Sequence, residues 1–132
     1  MFLSKELSER IVIVSCHYLG KPFDWDTFNC VHFVRQVYFG VGINLPRLIK
    51  SLPPPFEFHL SPDEFTLMPI GHSVFFKRKE TELLRPWTHM AIIINSEELI
   101  HCSLRMGNSV NIASKKKLLE VYDLAPRRPQ ED

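Results

Sequence analysis

Residues 28–40 read FNCVHFVRQVYFG, and this stretch decides the fold. Its apolar positions recur three or four residues apart, at Val31, Val34, Val37 and Tyr38. That spacing puts them on one face of a helix, which predicts an amphipathic helix with one buried stripe. Asn29 is a residue type that favours the N-cap, and Gly40 with Gly42 ends the helix. Cys30 therefore falls in the first helical turn.

The position of Cys30 suggests that its thiol is reactive. Backbone N–H groups in the first turn of a helix have no partner within the helix, and the helix dipole is positive there. Both effects lower the pKa of a thiol, and the same N–H groups can stabilise an oxyanion. Position alone leaves a second interpretation open, because a free cysteine is often a buried and inert core residue. The rest of the sequence has to decide between the two.

The segments on either side of this helix indicate an α+β domain. Upstream, apolar residues at helical spacing predict a helix over residues 4–18. Downstream, a proline-rich loop over 45–55 leads to Ser61-Pro62-Asp63-Glu64, which predicts a short capped helical turn. Short β-branched or aromatic runs then predict five strands: 73–77, 89–95, 99–103, 110–112 and 119–124. We expect residues 1–125 to form one domain, with N-terminal helices packed on a central antiparallel sheet of about five strands, and residues 126–132 to form a disordered tail.

Two histidines flank the turn of one predicted hairpin. His89 begins one strand and His101 lies near the end of the next, with Asn95-Ser96-Glu97 as the expected turn. Residues opposite each other in an antiparallel pair have numbers with a constant sum, so the two histidines share a face only if that sum is even. An even sum requires a loop of odd length, such as three residues. One imidazole can then hydrogen-bond the other and fix its tautomer, as in the nucleophile, base and orienter of a hydrolase.

With these residues identified, the chain resembles the NlpC family of papain-like cell-wall peptidases. The matching motifs are GKPFDW at 20–25, FNC at 28–30, GINLPR at 42–47, GHSVFF at 71–76, THMAI at 88–92 and IHCS at 100–103. They follow the family's order over residues 15 to 125. The resemblance implies a papain-like NlpC fold, with Cys30 as nucleophile, His89 as base and His101 as the third polar residue. It also implies hydrolysis of a peptide bond in the stem peptides of peptidoglycan.

Several residues depart from the family pattern. Phe23 stands where the family usually has a tyrosine, and His72 stands where it has an acidic residue. The usual Asp, Ser and Gly around the nucleophile are replaced by Asn29, Val31 and His32. The nucleophile, base and orienter are thus kept, whereas residues that face the substrate in the family differ.

The sequence leads to a specific mechanism. We expect the thiolate of Cys30 to attack an amide carbonyl of a peptide or muropeptide, which forms a thioester acyl-enzyme that water then releases. The expected walls of the substrate pocket are Phe23, Trp25 and Trp87. Two alternatives keep the fold: a thiol acyltransferase that passes the acyl group to an amine or alcohol, and a catalytically inactive binding relative.

A zinc site is a further alternative, because enough cysteine and histidine ligands are available: Cys16, His17, Cys30, His32, His89, His101 and Cys102. Neither C-x-x-C nor H-E-x-x-H spacing is present, and Cys30 and His32 would project from different faces of a helix. We therefore expect no metal and no cofactor.

The composition sets the remaining expectations. A net charge of +1 over 132 residues gives no broad basic surface for a nucleic acid. No segment approaches the roughly 20 apolar residues of a membrane span, and the N-terminus lacks the basic stretch of a signal peptide. The sequence therefore predicts a cytoplasmic protein, with a phage-associated role or signal-independent export left open. It indicates no oligomeric state.

Overall fold

The computed structural model describes residues 3–44, 56–57, 60–79 and 89–125. Its helices are α1 Lys5–Cys16, α2 Cys30–Gly40, α3 Pro62–Thr66 and α4 Lys115–Val121. Its strands are β1 Phe56–Glu57, β2 Ser73–Arg78, β3 His89–Ile93, β4 Glu98–Ser103, β5 Ser109–Ser114 and β6 Tyr122–Leu124. Among the predicted features, Trp87, the loop over 45–55 and the tail over 126–132 lie outside the described residues.

Side-chain caps begin the first three helices where the sequence predicts them. Ser4 Oγ accepts the backbone N–H of Leu7 at the start of α1. Asn29 caps α2, and Ser61 with Glu64 forms a reciprocal capping box at the start of α3. A capping side chain satisfies N–H groups that the first helical turn leaves without a partner. The three predicted helices are therefore confirmed, with α1 slightly shorter at its C-terminal end than expected.

Five antiparallel strands form the main part of the sheet, as the sequence predicts. Strands β2, β3, β4 and β5 pair in chain order, and β6 pairs with β2 on the edge that β3 does not occupy. The short β1 pairs with the first part of β2 in parallel, with Phe56 opposite Ser73. The prediction of an α+β fold with an antiparallel sheet is confirmed, and β1 is an additional parallel strand that the sequence did not reveal.

One predicted strand is wrong over half of its length. The run 119–124 was predicted as a strand, but α4 continues through Val121 and only Tyr122–Leu124 forms β6. Ser114 Oγ accepts the N–H of Lys117 and caps α4, and Leu118 is buried beneath the helix. The sequence of α4 is KKKLLEV, in which lysine, leucine and glutamate are good helix formers, so the cap and the helix propensity decide the local structure.

Helices cover both faces of the sheet. Helix α2 packs on one face, where its residues Phe33 and Val37 share a hydrophobic cluster with Phe75 of β2. Helix α1 packs beside α2 and extends this layer. The opposite face carries Phe65 of α3 and Leu118 of α4, which share a second cluster with strand residues. None of the described helices has both the length and the apolar character that crossing a membrane requires.

Four strand ends meet at one end of the sheet. Arg78 ends β2, His89 begins β3, Ser103 ends β4 and Tyr122 begins β6. Because neighbouring strands here are antiparallel, the end of one strand lies beside the start of the next. Polar and aromatic side chains from four strands therefore lie close together at one end of the sheet.

Candidate active site

A cavity of about 150 Å³ lies at this end of the sheet. Cys30, from the first turn of α2, and His89, from the start of β3, both line it. Phe23 and Trp25 form part of the same wall. The remaining lining residues are Arg78, Cys102, Ser103, Leu104, Arg105 and Tyr122. The structure thus brings together the predicted nucleophile, the predicted base and two predicted pocket residues.

The two predicted histidines are hydrogen-bonded to each other. His89 Nε2 lies 2.8 Å from His101 Nδ1. In the hairpin register Ile92 is opposite Ile100, so the sum of paired residue numbers is even. Glu98 accepts the N–H of Ile94 at the end of the ladder, which leaves the three predicted residues 95–97 as the turn. The predicted register, and with it the shared face of the two imidazoles, is confirmed.

Both imidazoles are buried in a way that keeps them neutral. His89 is 3% exposed, and its ring stacks on Tyr122 with the ring centroids 4.6 Å apart. Burial, with a further contribution from nearby His101, holds the pKa of His89 well below its usual range. Burial also lowers the pKa of His101 to about 4, although its hydrogen bond with Asn111 acts in the opposite sense. At neutral pH each ring therefore has one protonated nitrogen and one free lone pair.

Cys30 differs from the sequence prediction in its ionisation. The residue is only 8% exposed, and burial raises the pKa of its thiol to about 11. Backbone N–H groups of Met90, Val31 and Cys30 itself act in the opposite sense but are outweighed. The expectation of a lowered thiol pKa is therefore wrong, because the loss of solvent around Cys30 raises the pKa by more than the N–H groups at the helix end lower it. Cys30 rests as a neutral thiol.

The thiol of Cys30 and the ring of His89 line one cavity but are not hydrogen-bonded to each other. In the described part of the chain no hydrogen bond joins Cys30 Sγ to the His89 ring, and the shared cavity is what relates them. Hydrogen bonds between catalytic groups are often long in the free enzyme and shorten when the substrate binds. Because His89 Nε2 is engaged with His101, Nδ1 is the ring nitrogen left for an exchange of protons with the thiol.

Two of the residues that depart from the family pattern form the cap of α2. Asn29 Oδ1 accepts the N–H of Val31 and that of His32. His32 Nδ1 accepts the N–H of Asn29, which completes a reciprocal capping box. The asparagine thus occupies two of the N–H groups that would otherwise be free to bind an oxyanion. The N–H of Cys30 is the group in this first turn that the cap leaves for a ligand.

Two aromatic side chains line part of the cavity. Phe23 and Trp25 pack edge to face with ring centroids 5.1 Å apart, and Trp25 is 67% exposed. A segment distant in sequence helps to position them, because the N–H of Phe23 donates to the carbonyl of Asn108, the residue before β5. Both side chains line this cavity, and their role as walls of a substrate pocket stays a prediction.

The other candidate residues lie away from this cavity or do not converge. His72 is buried immediately before β2, at the opposite end of that strand from the cavity. Val31 is partly buried and packs against the core. Within the described ranges, no group of three or more His, Cys, Asp or Glu side chains is arranged to hold a metal ion.

Two residues of the site were missed by the sequence analysis. Tyr122 stacks on His89, and it was missed because its segment was interpreted as a longer strand. Asn111 lies directly opposite His101 in the β4–β5 ladder, and its Oδ1 is 3.2 Å from His101 Nε2. A polar residue between Val110 and Ile112 in a predicted strand was the available signal for Asn111.

We expect the protein to lose stability as the pH falls from about 6.5 towards 4. The folded pKa of His101 is lower than that of an unfolded histidine, so in this window the unfolded chain binds more protons. The stabilising effect is complete above the unfolded pKa and is lost progressively below it, and the lowered pKa of His89 acts in the same direction. For His101 alone, we expect the free energy of unfolding to fall by about 3 kcal/mol.

Urea unfolding at several pH values measures this effect. His101→Asn should weaken the dependence on pH, whereas His17→Asn, which changes an exposed histidine at the end of α1, should not. Equal free energies of unfolding at pH 6.5 and pH 4.5 in the unmodified protein would contradict a neutral, buried histidine pair.

Comparison with solved structures identifies the fold. A structure of an NlpC/P60 family protein from Bacillus cereus aligns over 92% of this chain with a TM-score of 0.65 and 22% sequence identity. The chain has the NlpC/P60 fold. The NlpC/p60 domain of the peptidoglycan hydrolase SagA aligns over 83% of the chain, with a TM-score of 0.62 and 21% identity. The peptidoglycan hydrolase RipB from Mycobacterium tuberculosis also aligns over 83%, with a TM-score of 0.63 and 17% identity.

The lengths of these proteins differ. The chain spans 40% of the Bacillus cereus structure, 59% of RipB and 91% of the SagA domain. No protein-family model matches the sequence, and no curated protein matches it either. The structure therefore shows the NlpC/P60 fold. At 17% to 22% sequence identity, a shared fold does not by itself assign an activity.

Proposed function

We propose that this protein is a cysteine hydrolase that cleaves an amide bond in the stem peptides of peptidoglycan. The observation that carries the proposal is one cavity lined by both Cys30 and His89, in which His89 is hydrogen-bonded to a second histidine, His101. A thiol, a neutral imidazole and a group that orients the imidazole are the components of nucleophilic acyl transfer. The NlpC/P60 fold and the names of two neighbours as peptidoglycan hydrolases support the choice of substrate.

In the first step, Cys30 Sγ attacks the carbonyl carbon of the scissile amide while its proton passes to His89 Nδ1. A C–S bond forms, and the electron pair of the C=O bond moves to oxygen, where we expect the N–H of Cys30 to stabilise the oxyanion. The imidazolium then gives its proton to the leaving amine as the C–N bond breaks. A thioester on Cys30 and a free amine result.

In the second step, water replaces the amine. The water oxygen attacks the thioester carbonyl while His89 Nδ1 accepts a proton from the same water molecule. The C–S bond breaks, the sulfur is reprotonated by His89, and a carboxylic acid is released. The neutral thiol and the neutral imidazole of the resting site are restored.

The lining of the cavity is consistent with a stem peptide. Arg78 and Arg105 give part of the lining a positive charge, which suits the carboxylates of such peptides. Phe23, Trp25 and Leu104 provide an apolar wall for the aliphatic parts of the substrate. Phe23, which lacks the hydroxyl of the family's usual tyrosine, makes this wall less polar than the resemblance implies.

Mass spectrometry of peptidoglycan fragments after incubation with the protein tests this function. We expect muropeptides to be converted into two shorter fragments whose masses sum to that of the substrate plus one water. A parallel incubation with added amine acceptors separates hydrolysis from acyl transfer, because a transferase would give amide products without added water. Intact fragments after incubation with folded protein would contradict the proposed substrate.

A further inference from the structure

The side-chain amide of Asn111 has its orientation fixed by two backbone carbonyls. Asn111 Nδ2 lies 2.6 Å from the carbonyl oxygen of Met106 and 2.8 Å from that of Ser109. A carbonyl oxygen only accepts hydrogen bonds, so the NH₂ group of the amide has to face both of them. The amide oxygen Oδ1 then has to face the other way, and it lies 3.2 Å from His101 Nε2.

The turn between β4 and β5 is shaped to hold this amide. Ser103 Oγ accepts the N–H of Met106, and Gly107 and Asn108 both adopt positive φ angles, of 86° and 51°. A Cβ atom at Gly107 would lie 2.9 Å from Asn111 Nδ2, closer than such atoms normally approach. Glycine at 107 therefore provides both the left-handed backbone and the space that the amide needs.

The orientation of Asn111 determines where the protons lie in both histidines. Because Oδ1 is only an acceptor, His101 Nε2 has to carry a proton and donate it. A neutral His101 then presents a lone pair at Nδ1, which lies 2.8 Å from His89 Nε2. His89 Nε2 has to donate in turn, and a neutral His89 is left with its lone pair at Nδ1. Burial, which lowers the pKa of both rings, keeps both neutral.

We propose that Asn111 is a positioning residue that sets the tautomers of His101 and His89, so that His89 Nδ1 can accept the proton of the Cys30 thiol. The role in catalysis rests on the proposed function, whereas the tautomers themselves do not. With the opposite tautomer, His89 Nδ1 would already carry a proton and could not act as the base. Asn111 thus extends the hydrogen-bonded set by one residue beyond the orienter, and it acts through His101 without touching the substrate.

Histidine ¹⁵N NMR measures the tautomers directly, because protonated and unprotonated ring nitrogens of a neutral imidazole have different chemical shifts. Resonances of the two rings are assigned by comparison with His89→Asn and His101→Asn. We expect both rings to be protonated at Nε2 in the unmodified protein. In Asn111→Leu we expect the proton to distribute between the two nitrogens of each ring, with kcat lowered by roughly 10- to 100-fold and KM little changed.

Two further variants separate positioning from support of the turn. Asn111→Asp keeps an acceptor for His101 Nε2, so we expect it to retain the Nε2 tautomers and most of kcat. Asn95 is a matched control, since it is also partly buried and caps a hairpin turn by accepting the N–H groups of Glu97 and Glu98 at the other end of the sheet. Asn95→Leu should leave the tautomers and kcat close to those of the unmodified protein, even if it lowers the melting temperature.

The proposal is overturned if His89 is protonated at Nδ1 in the unmodified protein. It is also overturned if Asn111→Leu keeps both Nε2 tautomers and loses no more activity than Asn95→Leu. Failure of the proposed function has a different signature: Cys30→Ala would remain active, or no amide substrate would be cleaved, while the NMR result for Asn111→Leu still shows redistribution of the protons.

Discussion

Cys30→Ala is expected to lower the rate of the proposed peptidoglycan cleavage by about four orders of magnitude or more, because the proposed thioester intermediate cannot form without the sulfur. The substitution removes one buried atom from the first turn of α2, so little structural change accompanies it. Steady-state cleavage of a purified muropeptide measures the effect. Circular dichroism and the melting temperature establish that the variant is folded.

Three further cysteine variants make this result specific. Cys30→Ser keeps the size of the side chain but replaces the thiol by a poorer nucleophile, so we expect it to bind substrate and remain nearly inactive. Cys16→Ala changes a partly buried cysteine at the end of α1 and should keep the activity of the unmodified protein. Loss of activity in Cys102→Ala together with full activity in Cys30→Ala would assign the nucleophile to the second thiol of the cavity instead.

The parts of the site that follow from local pattern could be predicted from the sequence. The Asn29 cap places Cys30 in the first helical turn, and a three-residue turn places His89 and His101 on the same face of the sheet. The first feature depends on adjacent residues, and the second depends on a single hairpin whose two histidines are 12 positions apart. Backbone geometry then fixes the outcome whatever the rest of the fold does.

The ionisation of the site could not be predicted in this way. The pKa of Cys30 depends on how completely the surrounding elements exclude water, and those elements come from distant parts of the chain. Likewise, β6 delivers Tyr122 to the face of the His89 ring only because α4 ends at Val121. A helix-end argument gives the sign of one contribution to the thiol pKa, and desolvation in the folded protein exceeds it.

His89→Ala is expected to lower kcat/KM by about three orders of magnitude, since it removes the group that we propose takes the thiol proton and returns it to the leaving amine. The loss should be large because Cys30 is a neutral thiol in the free protein and needs a base to form the nucleophilic thiolate. Removing a buried ring that stacks on Tyr122 also costs stability, so activity is compared per folded molecule. His72→Ala is the matched control, because His72 is a buried histidine beyond the opposite end of β2 and should retain turnover.

The solvent isotope effect of the unmodified protein tests the same ionisation state without a substitution. If thiol and imidazole are both neutral before attack, proton transfer to His89 Nδ1 accompanies formation of the C–S bond, and kcat/KM should be lower in D₂O than in H₂O. A thiolate–imidazolium pair formed beforehand would need no proton transfer in that step, so the rate in D₂O would be unchanged or higher. The burial of Cys30 and the low pKa of both histidines favour the first outcome. An unchanged or inverse isotope effect would mean that the substrate-bound site stabilises the ion pair, and that burial in the free protein does not decide the mechanism.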